Sequence, residues 1–514
     1  MRVLRYQRSS SGETSVRHAM RPVLVTLALL LAACSPRVDV TGDGAAGRFE
    51  AVRQSPPELR AFLYRMPKGG DLHTHLSGAA YAEALIEAGA ARGVCVDPAK
   101  SAVAVCGRTT RKMADALSDD DLRRTLIDTW SMRGFVPSSG MSGHDHFFAA
   151  FAKFGGAASM GDMAADVVDR AGRQRMRYIE LMVTFQGRAV TDLARKLRWT
   201  GDMAEFHQRL MDAGLGELVS KARADLDAGE SAMRAKMHCG TPQAEAGCTV
   251  AVRWLAQVSR TNPPGLVFAQ MLFGALVSQA EPRVVGLNFV APEDDPVSLA
   301  DYTLQMHMLE YLHGAMPNAN VTLHAGELTL GLVPPEDLRF HVRQAVELGH
   351  ARRIGHGVDV MYESDPAGLL REMAAQRVAV EINLTSNDQI LGVRGADHPF
   401  PIYRAAGVPT VLSTDDEGVE RIDRTHELQR AVTEFGLDFP TLIGLERNTL
   451  EYAFVAGASL WADPVAWRKV PACAGASVQA PPPAACATLL QDSEKARLQW
   501  EFERDLDAFD RELR

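Results

Sequence analysis

The chain has 514 residues, 46% hydrophobic and 23% charged, a globular composition that excludes a disordered, collagenous or polytopic membrane protein. Lys and Arg number 55 against 64 Asp and Glu, a net charge of −9, so the chain lacks the concentrated cations that nucleic-acid backbones require. The length accommodates one large α/β barrel with additions.

In chain order, the first element is a targeting segment. Residues 23–33 form an uncharged apolar run of 11 residues, short of the roughly 20 that span a bilayer. Arg21 precedes the run and Leu31-Ala32-Ala33-Cys34 ends it, the layout of a secretory signal. Ending on Cys resembles a bacterial lipoprotein signal, in which Cys34 is acylated and anchors the mature chain to a membrane. Translation starts at Met1 or Met20. Ser35 after Cys34 gives no inner-membrane retention acid, so the same resemblance implies the periplasmic side of the outer membrane or the cell surface. The expected division is a signal over 1–33, a lipidated tether over 34–58 and one domain over 59–514. The tether contains Gly42-Asp43-Gly44-Ala45-Ala46-Gly47, a literal G-x-G-x-x-G with no strand before it and no amphipathic helix after it, so no dinucleotide site is expected.

Six further cysteines fall into three local pairs. In an exported chain, proximity favours disulfides Cys95–Cys106, Cys239–Cys248 and Cys473–Cys486. The absence of C-x-x-C argues against thioredoxin-like or zinc-ribbon chemistry.

From residue 66 onward short Val/Ile/Leu-rich runs alternate with amphipathic stretches. Strands are expected at 70–75, 177–184, 249–258, 284–290, 321–327, 353–358, 378–384 and 409–415, with helices between them at 81–88, 204–211, 299–312 and 338–348. Continuous apolar runs suit strands buried on both faces. Eight strands separated by helices predict an α/β fold of the (β/α)₈ barrel type; a doubly wound open sheet is the alternative. Residues 89–135 read as an insertion after the first strand. Residues 470–490, rich in Pro and Ala, read as an excursion before a charged helix over 493–513, expected on the outside.

The predicted strand ends carry the chemistry. His73-Thr74-His75 ends the first, His324-Ala325-Gly326-Glu327 the fifth, Gly355-His356-Gly357 lies on the sixth and Thr414-Asp415-Asp416-Glu417 ends the eighth. Alternate strand residues share a face, so His73 and His75 can bind one ion, with His324 as third nitrogen and Asp415 as oxygen ligand. Three imidazoles and a carboxylate suit Zn²⁺, one per chain. Glu327 lies three residues past His324 and is free to move protons. His144-Asp145-His146 repeats the spacing, but Phe147, Phe148 and Phe151 follow at helical intervals, so it reads as a non-metal pair. His238, His307, His313, His341, His350, His398 and His426 read as ordinary structural groups.

The segments MPKGGDLHTHLSGA, HAGE, IGHG and LSTDDEG, in this order, resemble the adenosine deaminase family of the amidohydrolase superfamily, over roughly residues 60–465. The insertion and export signal are similar to its secreted, growth-factor-like branch and bacterial lipoprotein relatives. The resemblance implies a mononuclear zinc barrel that deaminates adenosine, deoxyadenosine or a related 6-aminopurine nucleoside. His73, His75, His324 and Asp415 would bind zinc, Glu327 would protonate N1, His356 would orient the attacking hydroxide with help from Asp415, and Asp416 would accept a hydrogen bond at N7. The expected fourth strand offers no Lys or acid to bridge a second metal. Ser77 stands where the family often has an Asp touching the ribose 5′-hydroxyl, and Asn288 and Ala291 stand where Asp and Gly are common. The Ala291 N–H can still meet N3, while the sugar side is left open. Other readings are another mononuclear amidohydrolase activity or a non-catalytic, lipid-anchored nucleoside-binding protein.

Overall fold

The computed structural model describes residues 44–514. The expected signal segment and Cys34 lie outside the described residues. Eight parallel strands form the centre: β1 (Lys68–His75), β2 (Met176–Val183), β3 (Ala251–Ser259), β4 (Val284–Val290), β5 (Thr322–Ala325), β6 (Arg353–His356), β7 (Ala379–Ile382) and β8 (Thr410–Leu412). They hydrogen-bond as two arcs, β1 to β4 and β5 to β8. Single bridges, Leu287 with Val321 and Thr74 with Asp415, join the arcs at both seams. The Asp415 N–H donates to the His73 carbonyl at 2.9 Å and the His75 N–H to the Asp415 carbonyl at 3.2 Å. Neighbours in space are thus neighbours in sequence all the way round, which is barrel order; a doubly wound sheet reverses direction at a switch point.

The strands are short and closed to water because helices cover their outer faces. Every residue of β1 is buried, as are all of β5, β6, β7 and β8. Such strands carry no in–out polarity, which is why they read as apolar runs.

The structure corrects the tether. Ala45–Val52 (α1) and Pro56–Arg65 (α2) are helices. Phe49, Leu59 and Leu63 are fully buried, and Phe49 and Phe62 meet edge to face at 5.8 Å. Ala45, Phe49 and Val52 recur at helical spacing, and Pro56 at the first helical position fixes the start of α2. The folded domain therefore includes residues 45–58, which the sequence placed in the tether.

Between β1 and β2, Cys95–Asp97, Ala102–Ala104 and Arg111–Lys112 form a small antiparallel sheet. Helix Gly143–Phe154 (α3) then packs against Leu384–Leu391 (α4), which follows β7. Both lie at the C-terminal ends of the barrel strands.

The last helix, Glu494–Glu512 (α5), is also corrected. Its Leu498 and Phe502 are buried in one cluster with Leu72, Tyr178 and Val411 of the barrel strands. Arg177 and Arg253, at the starts of β2 and β3, pair with Asp505 and Glu494. The charged face met solvent in the sequence reading; the opposite, apolar face closes the N-terminal floor of the barrel. The six cysteines pair as Cys95–Cys106, Cys239–Cys248 and Cys473–Cys486.

Candidate active site

Strand periodicity places His73 and His75 two residues apart at the end of β1, both aimed inward. His324 comes from β5, and Asp415 directly follows β8. The His73 and His324 Nε2 atoms lie 3.0 Å apart and those of His75 and His324 3.2 Å apart. Asp415 Oδ1 is 3.3 Å from His75 Nε2 and 3.7 Å from His73 Nε2. All four ligand atoms lie within 4.8 Å of one another, and all four residues are buried. Gly355 on β6 makes room for this packing: a Cβ there would sit 2.6 Å from His73 Cε1.

Groups behind the imidazoles fix their orientation. His73 Nδ1 meets Glu381 Oε2 at 2.7 Å. Asn288 Oδ1 accepts from both the backbone N–H and Nδ1 of His324, each at 3.0 Å. With a proton on these Nδ1 atoms, both Nε2 lone pairs face the centre. The Gln257 NH₂ faces His75 Nδ1 at 2.9 Å, and Thr184 donates to Gln257 Oε1 at 3.1 Å. The same arrangement holds for His75 when Gln257 turns its oxygen toward the ring and its NH₂ toward Thr184. Lone pairs and a carboxylate converging in a buried space fit one divalent, borderline-hard cation.

Glu381 is held as an anion. Burial would raise its pKa, but the Arg353 guanidinium and the His73 hydrogen bond outweigh it and hold it at about 2. Arg353 also pairs with Glu180, and Thr322 donates to Glu381 at 2.8 Å.

Glu327 lies beside this cluster. Burial, and then the carboxylates of Asp415 and Glu293, push its carboxyl well above the usual range, toward the protonated form. His356 Nδ1 is 3.6 Å from Glu327 Oε1, and His356 Nε2 is 3.6 Å from Asp415 Oδ2. His356 and Asp415 have φ of 69° and 56°, left-handed conformations that concentrate at functional sites. Burial and the neighbouring Asp415 push Asp416 well up as well. A Cβ on Gly78 would lie 1.6 Å from Asp416 Oδ1, so only glycine admits that carboxyl.

These groups open onto a cavity of about 410 Å³. His75, Ser77, Ala291, His324, Glu327, Asp415 and Asp416 all line it. The structure thus brings together every site residue read from the sequence, with His73 and His356 buried behind the cavity wall. Asn288 is buried behind His324 and holds its ring. Ala291 adopts φ of 78°, which explains why glycine is common there.

Sequence reading missed the aromatic wall. Phe147, Phe148 and Phe151 of α3 and Ile390 of α4 line the cavity; the helical spacing of the three phenylalanines served in the sequence only to set aside the His-x-His pair beside them. His144 and His146 of α3 do not join the metal cluster, and bond instead to Asp294 and the Ser131 carbonyl. Glu293 was also missed. It accepts from the backbone N–H groups of Gly326 and Glu327 at 3.0 and 2.8 Å and from His341 Nδ1 at 2.6 Å, fixing the turn that carries Glu327. No local pattern marks it, because its partners lie over 30 residues away.

Residues 157–459 match the profile of the family described as adenosine deaminase. The adenosine deaminase of Shewanella loihica is 39% identical over 137 residues, 26% of this chain and 38% of that protein. The match therefore spans well under half of that relative's length. Among solved structures, the Arabidopsis ADAL–IMP complex aligns with a TM-score of 0.53 and 18% identity, over 87% of this chain and 99% of that one. A zinc-bound amidohydrolase from Burkholderia ambifaria aligns with a TM-score of 0.52 and 16% identity, over 88% and 94%. At these identities the two structures establish a shared fold.

Proposed function

The chain belongs to the adenosine deaminase family, and from that premise we propose that it hydrolyses adenosine, deoxyadenosine or a closely related 6-aminopurine nucleoside to the 6-oxo product and ammonia, with one zinc ion held by His73, His75, His324 and Asp415. The observation that carries this reading is the convergence of that donor set and the buried Glu327 carboxyl on one cavity. The bound ion supplies a positive charge that makes water nucleophilic at neutral pH.

The chain's own residues do the rest. Glu327 gives its proton to N1, which makes C6 electrophilic, and regains one from the attacking water. His356 orients that water. The remaining water proton passes to the amine, which leaves as ammonia. N7 of a neutral purine has a lone pair and no hydrogen, so Asp416 cannot accept from it; its raised pKa makes it the donor instead. The Ala291 N–H faces N3 and Ser77 the sugar. Among the described residues no Lys or Arg lines the cavity, which favours a neutral nucleoside over a nucleotide.

The test is loss of ultraviolet absorbance on deamination by the zinc-loaded protein, comparing adenosine, deoxyadenosine, adenine and AMP. Turnover of the nucleosides above adenine and AMP supports the reading; no turnover of either nucleoside overturns it. Export and acylation at Cys34 belong to the same proposal, supported by the apolar run before Cys34 and by three disulfides, which persist in oxidising compartments. Mass spectrometry of the membrane fraction should find a lipid on Cys34 and no peptide from 1–33. A soluble product cut elsewhere refutes it.

A further inference from the structure

His356 is linked away from the cavity by a chain of three hydrogen bonds whose directions are fixed at one end. The backbone N–H of Phe400 donates to His398 Nδ1 at 3.1 Å. A backbone amide can only donate, so His398 Nδ1 holds a lone pair and its proton is on Nε2. His398 Nε2 meets Asn387 Oδ1 at 3.0 Å, and an amide oxygen can only accept, so the two ends agree. The Asn387 amide is thereby oriented, and its NH₂ meets His356 Nδ1 at 2.9 Å. An NH₂ can only donate, so His356 Nδ1 holds a lone pair and the ring proton is on Nε2, the nitrogen facing Asp415. Burial pushes His398 down to about 4, which keeps it neutral and the chain unchanged near neutral pH.

The relay is rigid. His398 and Asn387 are 2% and 0% exposed. Asn387 sits on α4, whose first N–H, that of Leu384, donates to the buried Glu427 at 2.8 Å.

We propose that His398 and Asn387 are positioning residues that lock His356 as the neutral Nε2–H tautomer, so that His356 serves the reaction as a hydrogen-bond donor to the attacking oxygen and never as the base that takes its proton. This rests on the deaminase reading above. With Nε2 protonated and the Nδ1 lone pair occupied by Asn387, the ring has no free lone pair for the water's proton, which goes to the Glu327 carboxylate once that group has protonated N1. Ring tautomers decide catalytic competence elsewhere: a catalytic histidine held in the wrong one loses about 10⁴-fold in rate.

Neutron diffraction from deuterium-exchanged, zinc-loaded protein tests the assignment directly. Deuterium is expected on Nε2 of both His356 and His398 and on neither Nδ1; deuterium on Nδ1 of His356 overturns the proposal. The kinetic counterpart is Asn387→Asp, which puts an acceptor where the ring needs a donor. Zinc content and KM should hold while kcat falls by roughly 10²–10⁴-fold. His398→Leu should lower kcat about 10-fold more than His398→Gln, whose amide N–H can still reach Asn387. Near-normal kcat in Asn387→Asp with zinc bound overturns the donor role. A protein with the expected deuterium pattern but no nucleoside turnover would sink the functional reading and leave the tautomer assignment standing; turnover with deuterium on Nδ1 would do the reverse.

Discussion

Glu327 shows how little one side chain's identity says without its surroundings. Water-exposed glutamate is ionised at neutral pH; here burial, and then the charges of Asp415 and Glu293, favour the protonated form. Glu327→Gln keeps the shape and removes the acidic proton. The variant should bind zinc normally and lose roughly 10²–10⁴-fold in kcat, as checked by metal analysis beside steady-state kinetics. Near-normal turnover would assign N1 protonation to another group. Ala291 makes a different residue-scale case. Its φ of 78° is one that L residues adopt at a cost of about 1–2 kcal/mol. Ala291→Gly should relieve that strain and, after the entropy glycine gains in the unfolded chain, stabilise by about 0.5–1 kcal/mol. A denaturant midpoint that fails to rise would show that the turn is not strained. At this scale the sequence was legible where reactive side chains stand in apolar strands, as at His73, His75 and His324. It was silent at Asn387 and Glu293, whose meaning comes from partners far along the chain.

Among the elements, β7 offers no side chain among the four metal-ligand candidates, yet it controls them. Its Glu381 orients His73, and is itself fixed by Arg353 of β6 and Thr322 of β5. Glu381→Gln weakens the hold on Nδ1–H of His73 and leaves Arg353 with one carboxylate. Zinc affinity should fall by about 10–100-fold, the usual effect of removing such a supporting partner, as read by chelator competition. There is a pH signature too. Glu381 titrates at about 2 against an ordinary 4.5, a depressed acid. Its contribution to stability is complete above about pH 4.5 and is lost as pH falls toward 2. Unfolding curves of Glu381→Gln should therefore flatten relative to wild type across that interval. Parallel curves would mean that Arg353 does not depend on this charge. The strands themselves were legible to within a few residues, because strands buried on both faces must be apolar along their length. Their closure was not, since two single bridges carry both seams and no sequence pattern marks either.

On the scale of the whole molecule, chemistry and stability occupy opposite ends of the barrel. The mouth holds the metal-ligand candidates, Glu327 and Asp416; the floor, where Arg177 and Arg253 pair with Asp505 and Glu494 beside an apolar cluster, is closed by α1, α2 and α5. Both misreadings of the sequence fall at this floor. Residues 45–58 looked like a tether because Ala and Gly dilute the helical period around Phe49. The stretch forming α5 looked external because charged residues fill most of it, although Leu498, Trp500, Phe502 and Phe509 are each buried. Phe502 shows what the closure is worth. It is 1% exposed and packs with Leu72 and Tyr178, whose strands carry His73 and Glu180. Phe502→Ala should lower unfolding free energy by about 3–5 kcal/mol, the cost of emptying a buried aromatic site. Since β1 is tied to β2 along its length and to Asp415 by a bridge at Thr74, the metal cluster should stay in place in the protein that remains folded. Denaturant unfolding of the zinc-loaded variant should thus show the full loss, while kcat per folded molecule and zinc content match wild type. A fall in kcat of more than about 10-fold with stability little changed would mean that the floor sets the geometry of the mouth, and that the separation between the two ends does not hold.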